Sequence, residues 1–203
     1  METEQLEQGS DDWHEARYGL PTASKFSEII TGTGKPSTSL ERYAATLAAE
    51  QYAGANLESW QGNQWTERGH ELEHEARLAY SMLRGVDVGE VGFIVKDGAG
   101  CSPDGLVEAN GLVEIKCLAP HNHVLMLSYF AKHGRVQPSY VPQAQGQIYV
   151  CEREWNDMFF YHPALPELLV RLDRDEDYIT ALTKQITLVI NERDRLTELL
   201  RKA

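Results

Sequence analysis

Cysteine is scarce: only Cys101, Cys117 and Cys151 occur, and no two are close neighbours in sequence. That excludes a disulfide-dense scaffold and reads as reduced thiols in a cytoplasmic protein. Long apolar runs are missing as well. Stretches such as Val124–Leu127 and Leu168–Val170 fall far short of the roughly 20 apolar residues of a membrane span. The first residues, Met1-Glu-Thr-Glu-Gln-Leu-Glu-Gln, are acidic and polar, the opposite of a secretory leader. There is no internal repeat, no low-complexity tract and no linker rich in Pro, Gly and Ser. Basic residues are outnumbered, with 19 Lys and Arg against 31 Asp and Glu, for a net charge of −12. Such a balance argues against a protein that coats nucleic acid through a broad basic face. It leaves room for an enzyme whose cations are concentrated in one channel, where bound divalent metals would add positive charge.

What is present is ordinary globular material: 203 residues, 42% hydrophobic and 25% charged. That is enough to bury a sizeable core without staples. The expected organisation is a single domain over 1–203, with 1–12 a flexible N-terminus. Pro21 and Thr22 open a helical segment with Phe26, Ile29 and Ile30 on one face, closed by Gly32. Thr38 and Glu41 fit a capping box that starts a helix through Tyr52, stopped at Gly54. A third helix is predicted from Gln64 to Leu83, with Leu72, Ala76, Ala79, Tyr80 and Leu83 as its apolar stripe and Gly85 beyond it.

Short β-rich segments follow: Val86–Val88, Val91–Val95, around Cys101, Gly105–Glu108 and Leu112–Cys117. His121–His133 and Tyr140–Val150 return to helical texture, Asp157–Tyr161 and Leu168–Leu172 read as strands, and Asp175 to the end as a long amphipathic helix. The predicted fold class is α/β, a central mixed sheet flanked by helices.

The chemistry concentrates in Cys101-Ser-Pro-Asp-Gly-Leu-Val, a turn at Asn110-Gly111, and Leu112-Val-Glu-Ile-Lys-Cys117. Two strands around that turn would bring Asp104 near Glu114. Glu114 and Lys116, two residues apart on a strand, leave the same face, while Val113, Ile115 and Cys117 point to the other. Two hard carboxylates suit Mg²⁺ or Mn²⁺, which keep waters and accept phosphate oxygens. A lysine beside them can orient the attacking water and offset charge on phosphorus. A surface hairpin with an ordinary Glu–Lys pair is the alternative this pattern leaves open; apolar flanks favour the first, because buried charge is costly without a ligand.

Ser102-Pro-Asp-Gly-Leu followed by Leu112-Val-Glu-Ile-Lys-Cys resembles the PD-(D/E)xK nuclease signature in the form carried by phage lambda-type exonucleases, the viral recombinase family. The likeness continues in Trp13-His-Glu-Ala-Arg-Tyr-Gly with Thr22-Ala-Ser, in Gly69-His-Glu-Leu-Glu-His-Glu-Ala-Arg77, in Tyr140-Val-Pro-Gln-Ala-Gln-Gly-Gln147 and in Trp155 to Pro163. The five blocks stand in the family's order. The resemblance implies a restriction-endonuclease-like core in which Asp104, Glu114, Glu73 and the Ile115 carbonyl ligate metal, with two ions per site, and Lys116 is the catalytic lysine. Arg17, Ser24, Ser102 and Gln143 match positions that grip a terminal 5′-phosphate, and Lys35 stands where an arginine contact to phosphate is expected. It further implies 5′ to 3′ digestion of linear double-stranded DNA to mononucleotides, a ring-shaped homotrimer and a single-strand annealing partner. Two departures concern end recognition. Cys117 is followed by Leu118-Ala-Pro120 rather than directly by proline, and no apolar wedge is evident, since Trp65, though nearby, reads as core packing.

Other patterns have blander readings. Glu73 without the family is a solvated acid among Glu67, Glu71 and Glu75, and Arg17 a surface ion pair with Asp11, Asp12 or Glu15. His70-Glu-Leu-Glu-His74 satisfies the HExxH zinc-protease pattern, yet its helix is densely charged and no third ligand is well placed. His121 and His123 open a helix after Pro120, and Gln143 and Gln147 share a helix face. Functional alternatives are a restriction-like or repair endonuclease of the same superfamily, and a non-catalytic DNA-binding protein.

Overall fold

Alternation of residue type between Gly111 and Lys116 produces a strand with one apolar and one largely polar face, and the molecule is layered around it. The structure, a computed structural model, describes residues 2–4, 10–57 and 64–203, with side chains at 10–57 and 72–203. In chain order the first elements are β1 (Glu2–Glu4), α1 (Asp11–Glu15), a 3₁₀ segment (Ala23–Glu28), α2 (Leu40–Ala53) and α3 (Gln64–Arg84). Five strands follow: β2 (Val88–Gly89), β3 (Phe93–Lys96), β4 (Ala99–Cys101), β5 (Gly105–Val107) and β6 (Gly111–Lys116). The chain then forms α4 (Pro120–His133), a 3₁₀ turn (Pro138–Tyr140), α5 (Val141–Val150), β7 (Trp155–Phe160), β8 (Leu168–Asp173) and α6 (Glu176–Lys202).

The expected central mixed sheet is present, in the order β2-β5-β6-β7-β8. β6 and β7 run parallel and the other pairs antiparallel. A parallel pair needs a crossover, which α4 and α5 supply. A second, three-stranded antiparallel sheet, β1-β3-β4, stands beside it. Thus the segment expected to be a flexible N-terminus contributes a strand paired with β3 and, from Asp11, a helix capped by the Ser10 hydroxyl.

Two apolar layers sandwich the sheet. On one side Val113 and Ile115 pack with Ala76, Tyr80, Val107 and Phe159 under α3. On the other, Leu112 joins Phe26, Ile29, Ile30, Ile148 and Leu182, and a neighbouring cluster unites Met126, Ala144, Met158 and Phe160. Burying a side chain such as Phe26 is worth about 1.5–3 kcal/mol. Glycine decides how closely these layers approach: a Cβ on Gly146 would lie 2.3 Å from Phe26 Cδ2, so α5 rests directly on the 3₁₀ segment. Backbone pairing of Gly100 N with Pro21 O, at 3.0 Å, fixes that segment beside β4.

Two local expectations are corrected. The capping box at Thr38 and Glu41 is not formed: α2 begins after Ser39, whose αR backbone makes no side-chain cap. Leu83, in the last turn of α3, is 49% exposed rather than part of the helix's buried stripe. At the other end of α2 the glycine C-cap is as expected. Gly54 is left-handed, with φ 62°, a conformation that glycine adopts without the penalty a Cβ would bring.

Candidate active site

The β5–β6 hairpin assembles the acidic cluster. Its register sets Gly105 opposite Val113, so Asp104 falls opposite Glu114. Asp104 Oδ2 accepts the Ile115 N–H at 2.6 Å. Period-two alternation turns Glu114 and Lys116 toward α5. There Lys116 Nζ donates to Glu114 Oε1 at 2.7 Å. Glu114 is only 4% exposed. A carboxylate buried that deeply must be hydrogen-bonded. Gln143 Nε2 donates to Oε1 and Gln147 Nε2 to Oε2, both at 2.5 Å. Gln147 is held in turn: Asn156 Nδ2, from β7, donates to its Oε1 at 2.7 Å. A buried relay therefore runs from β7 through α5 to Glu114 on β6.

Charge in the cluster is unbalanced. Burial, with the neighbouring carboxylates of Glu114 and Glu73, holds the Asp104 carboxyl well above the ordinary range; Lys116 and the Ile115 N–H pull the other way. Burial opposes the charge on Lys116, but the carboxylates of Glu114 and Asp104 outweigh it and hold the ammonium above its usual value. Glu73, reaching in from α3, pairs with Arg77 at 2.8 Å. Three carboxylates thus converge on two cations. Among the described residues no three His, Cys, Asp or Glu side chains already form a metal cage. The oxygens that could hold a cation are those of Asp104, Glu114 and Glu73 and the Ile115 carbonyl. Excess negative charge on hard oxygen donors fits a hard divalent ion.

The N-terminal candidates lie around this cluster in different ways. Trp13 Nε1 donates to Ser102 Oγ at 2.9 Å, tying the first helix to the turn that carries Asp104. Arg17 makes no ion pair with Asp11, Asp12 or Glu15. Its guanidinium sits 3.9 Å from the Trp13 ring centroid and 5.4 Å from that of Phe93, within the range of a cation–π contact. Burial pulls it below its ordinary value, partly offset by Tyr43, Cys101 and Glu50. Ser24 is exposed at the start of the 3₁₀ segment, 3.4 Å from the Thr22 hydroxyl. Lys35 is exposed on a turn closed by Thr31, whose hydroxyl accepts its N–H, and no contact among the described residues brings it to the acidic cluster.

Sequence patterns did not single out Asn156. Its signal is a polar residue in phase with Met158 and Phe160 on the α5-facing side of an aromatic strand. His74 is exposed, whereas the side chains of His70 and Trp65 lie outside the described residues. His123 is fully buried, its Nε2 2.8 Å from the Pro166 carbonyl, and so is a core histidine.

A mixed sheet flanked by helices, with a lysine and two carboxylates at the end of a β-hairpin, defines the chain as a nuclease-type α/β protein. It belongs to the YqaJ-like viral recombinase domain family, whose model matches residues 12–154. Among solved structures it is similar to an alkaline exonuclease (LHK-Exo) from Laribacter hongkongensis, at 31% identity and a TM-score of 0.83, covering 95% of this chain and 97% of that one. The same exonuclease in complex with dAMP matches at 31% identity and a TM-score of 0.82, again covering 95% and 97%. A phage related exonuclease from Haemophilus somnus 129PT shares the fold, at 17% identity and a TM-score of 0.72 over 92% of this chain and 99% of that one. No curated protein matches the chain in sequence. Among the described residues no helix is long and apolar enough to cross a membrane.

Proposed function

We propose that this chain is a metal-dependent DNA exonuclease. It degrades one strand of linear double-stranded DNA, 5′ to 3′ from the phosphorylated end, to mononucleotides, and leaves 3′ single-stranded overhangs for recombination by strand annealing. The observation that carries the reading is the convergence of Asp104, Glu114 and Lys116 with Glu73 at one end of the central sheet, in a chain of the viral recombinase family. A relative that binds dAMP supports a mononucleotide product.

The division of labour follows from the geometry. Asp104, Glu114, Glu73 and the Ile115 carbonyl would hold Mg²⁺ or Mn²⁺, two ions per site. Such ions, when bound, neutralise phosphate charge and make water acidic enough to attack at neutral pH. Lys116 Nζ, kept protonated by Glu114, orients the nucleophile and balances charge developing on the phosphate. Gln143 sits near the start of α5 and offers an amide donor to the backbone being cleaved. Arg17, stacked on Trp13 and unpaired by carboxylates among the described residues, is free to take a terminal phosphate with Ser24 and Ser102; a guanidinium suits that ligand through its forked donors. The family further suggests a homotrimeric ring around the DNA, an annealing protein as partner and a cytoplasmic site of action.

End-labelled linear duplex, incubated with and without Mg²⁺, tests the reading directly. Labelled nucleotide should be released first from the 5′-phosphorylated end, only with metal, while circular plasmid stays intact. Cutting of the circle would instead assign a restriction-like or repair endonuclease, and light scattering that finds a stable monomer removes the ring.

A further inference from the structure

Negative charge is distributed unevenly along this acidic chain. Residues 115–151 contain none of its 31 Asp and Glu, and residues 16–40 contain only Glu28, which is paired with Arg42. The two stretches flank the acidic cluster. The first leaves β6 at Lys116, runs out along α4 and returns through the 134–140 loop to Gln143. The second carries Arg17, Ser24 and Lys35. They meet where Gly32 abuts Pro138: a Cβ on Gly32 would lie 2.0 Å from the Pro138 carbonyl oxygen. The turn that bears Lys35 therefore lies against the loop that bears Arg135.

Cations elsewhere in the molecule are mostly neutralised locally. Arg42, Arg77, Arg84, Lys96, Arg171, Arg174, Arg193, Arg195 and Arg201 all have carboxylate partners. Lys25, Lys35, Lys132, Arg135, Lys184 and Lys202 are exposed and have none among the described residues, and four of these six fall in the two acid-poor stretches. The helix α4 is 14 residues long. At the rise of an α-helix that is about 20 Å, the length of about six phosphate steps along one strand of duplex.

We propose that the outer face of α4 and the loop after it, joined by Lys35 across the Gly32–Pro138 contact, form a phosphate-tracking surface. Lys132, Arg135 and Lys35 hold the backbone of the duplex behind the end being digested. The inference rests on the exonuclease reading and names where that activity holds its substrate. It also explains how a chain of net charge −12 engages a polyanion: the favourable field is confined to two acid-poor stretches, bordered at the Lys35 turn by the acidic start of α6, Asp175 to Asp177, where Tyr178 packs on that turn.

The test is fluorescence anisotropy of the full-length protein on a 5′-phosphorylated linear duplex, with chelator present so that the strand is not consumed. The doubly reversed variant Lys132→Glu with Arg135→Glu should bind at least tenfold more weakly at about 0.1 M salt. Its plot of log affinity against log salt should be shallower by about 1.8, since each lost phosphate contact removes about 0.9. Lys35→Glu should remove about a further 0.9. Lys202→Glu, at an exposed lysine on the far end of α6 from the Lys35 turn, is the control for net charge and should match wild type. The proposal is overturned if the double variant keeps the wild-type slope, if Lys202→Glu loses as much, or if gel filtration shows the double variant changed in oligomer size, which would make this surface a subunit contact. Wild-type protein that neither binds nor digests duplex DNA would sink the exonuclease reading too; digestion by wild type with unaltered variants would sink the tracking surface alone.

Discussion

Two buried carboxylates stand on neighbouring parallel strands, facing opposite sides of the sheet. Glu114 on β6 faces α5, and Asp157 on β7, 1% exposed, faces α3. Both are fully engaged by hydrogen bonds, yet they differ in charge. Asp157 is gripped by both arms of Arg171 at 2.8 and 2.9 Å and by the Tyr80 hydroxyl at 2.8 Å, with Arg84 at 3.8 Å. Arg171 in turn lies 3.5 Å from the Trp155 ring centroid. That carboxylate is fully countered by its two guanidinium partners, and the site fastens α3 to β7. Glu114 has one ammonium and two neutral amides, with two further carboxylates close by. Burial alone therefore does not mark a functional acid; burial with uncompensated charge does, because the missing countercharge must come from outside the chain.

The largest contrast is expected at Asp104. Asp104→Asn should lower nuclease turnover by about 10²–10³-fold, yet leave the metal-free protein more stable than wild type at neutral and alkaline pH. The sign follows from the raised carboxyl: the native state keeps the proton to higher pH than the unfolded chain. Its contribution to wild-type stability is complete below the ordinary carboxylate value of 3.8 and is lost as pH rises through the native value. Urea denaturation across pH, with chelator, should show the gap between variant and wild type closing toward acid. A variant less stable at pH 8 would break the contrast.

The opposite result is expected on the far face. Arg171→Met leaves buried Asp157 with only the Tyr80 hydroxyl and the longer contact to Arg84 and should destabilise by about 3 kcal/mol, while activity per folded molecule holds near wild type. A smaller loss, about 1–2 kcal/mol, should follow Asn156→Ala, which leaves the buried Gln147 oxygen unpaired. Because Gln147 fixes Glu114, that variant should also need several-fold more Mg²⁺ for half-maximal activity; an unchanged metal requirement would reduce Asn156 to a packing residue. The smallest effect belongs to Arg42→Ala, under about 1 kcal/mol by thermal melting, since it forms a surface ion pair with Glu28.

The strand pattern around Asp104, Glu114 and Lys116 was legible because period-two alternation and a tight turn are local physics. The same holds for the segments that became α2, α4 and α6, whose apolar spacing is local to each helix; α2 and α4 also stop at glycines, Gly54 and Gly134. Long-range partners were not legible in this way. Nothing near Arg17 in sequence announces that it also lies beside Phe93, and nothing near Tyr80 announces Asp157. The Thr38 capping box failed for the complementary reason: a correct local pattern was overridden where Ser39 took up a helical backbone and shifted the start of α2. Order of the blocks along the chain, rather than any single spacing, carried the assignment to the family that the structure then supports.

The parallel pairing of β6 with β7 also constrains when this protein becomes dangerous to nucleic acid. Glu114 and Lys116 leave the ribosome before α4 and α5, and the strand that completes their setting lies beyond both. A nascent chain that ends short of Trp155 has the acidic residues but neither the glutamine clamp in place nor a neighbouring strand to support it. The proposed hydrolytic centre can therefore assemble only after the crossover has closed, so truncated or stalled products should be inert toward the genome of the cell that makes them.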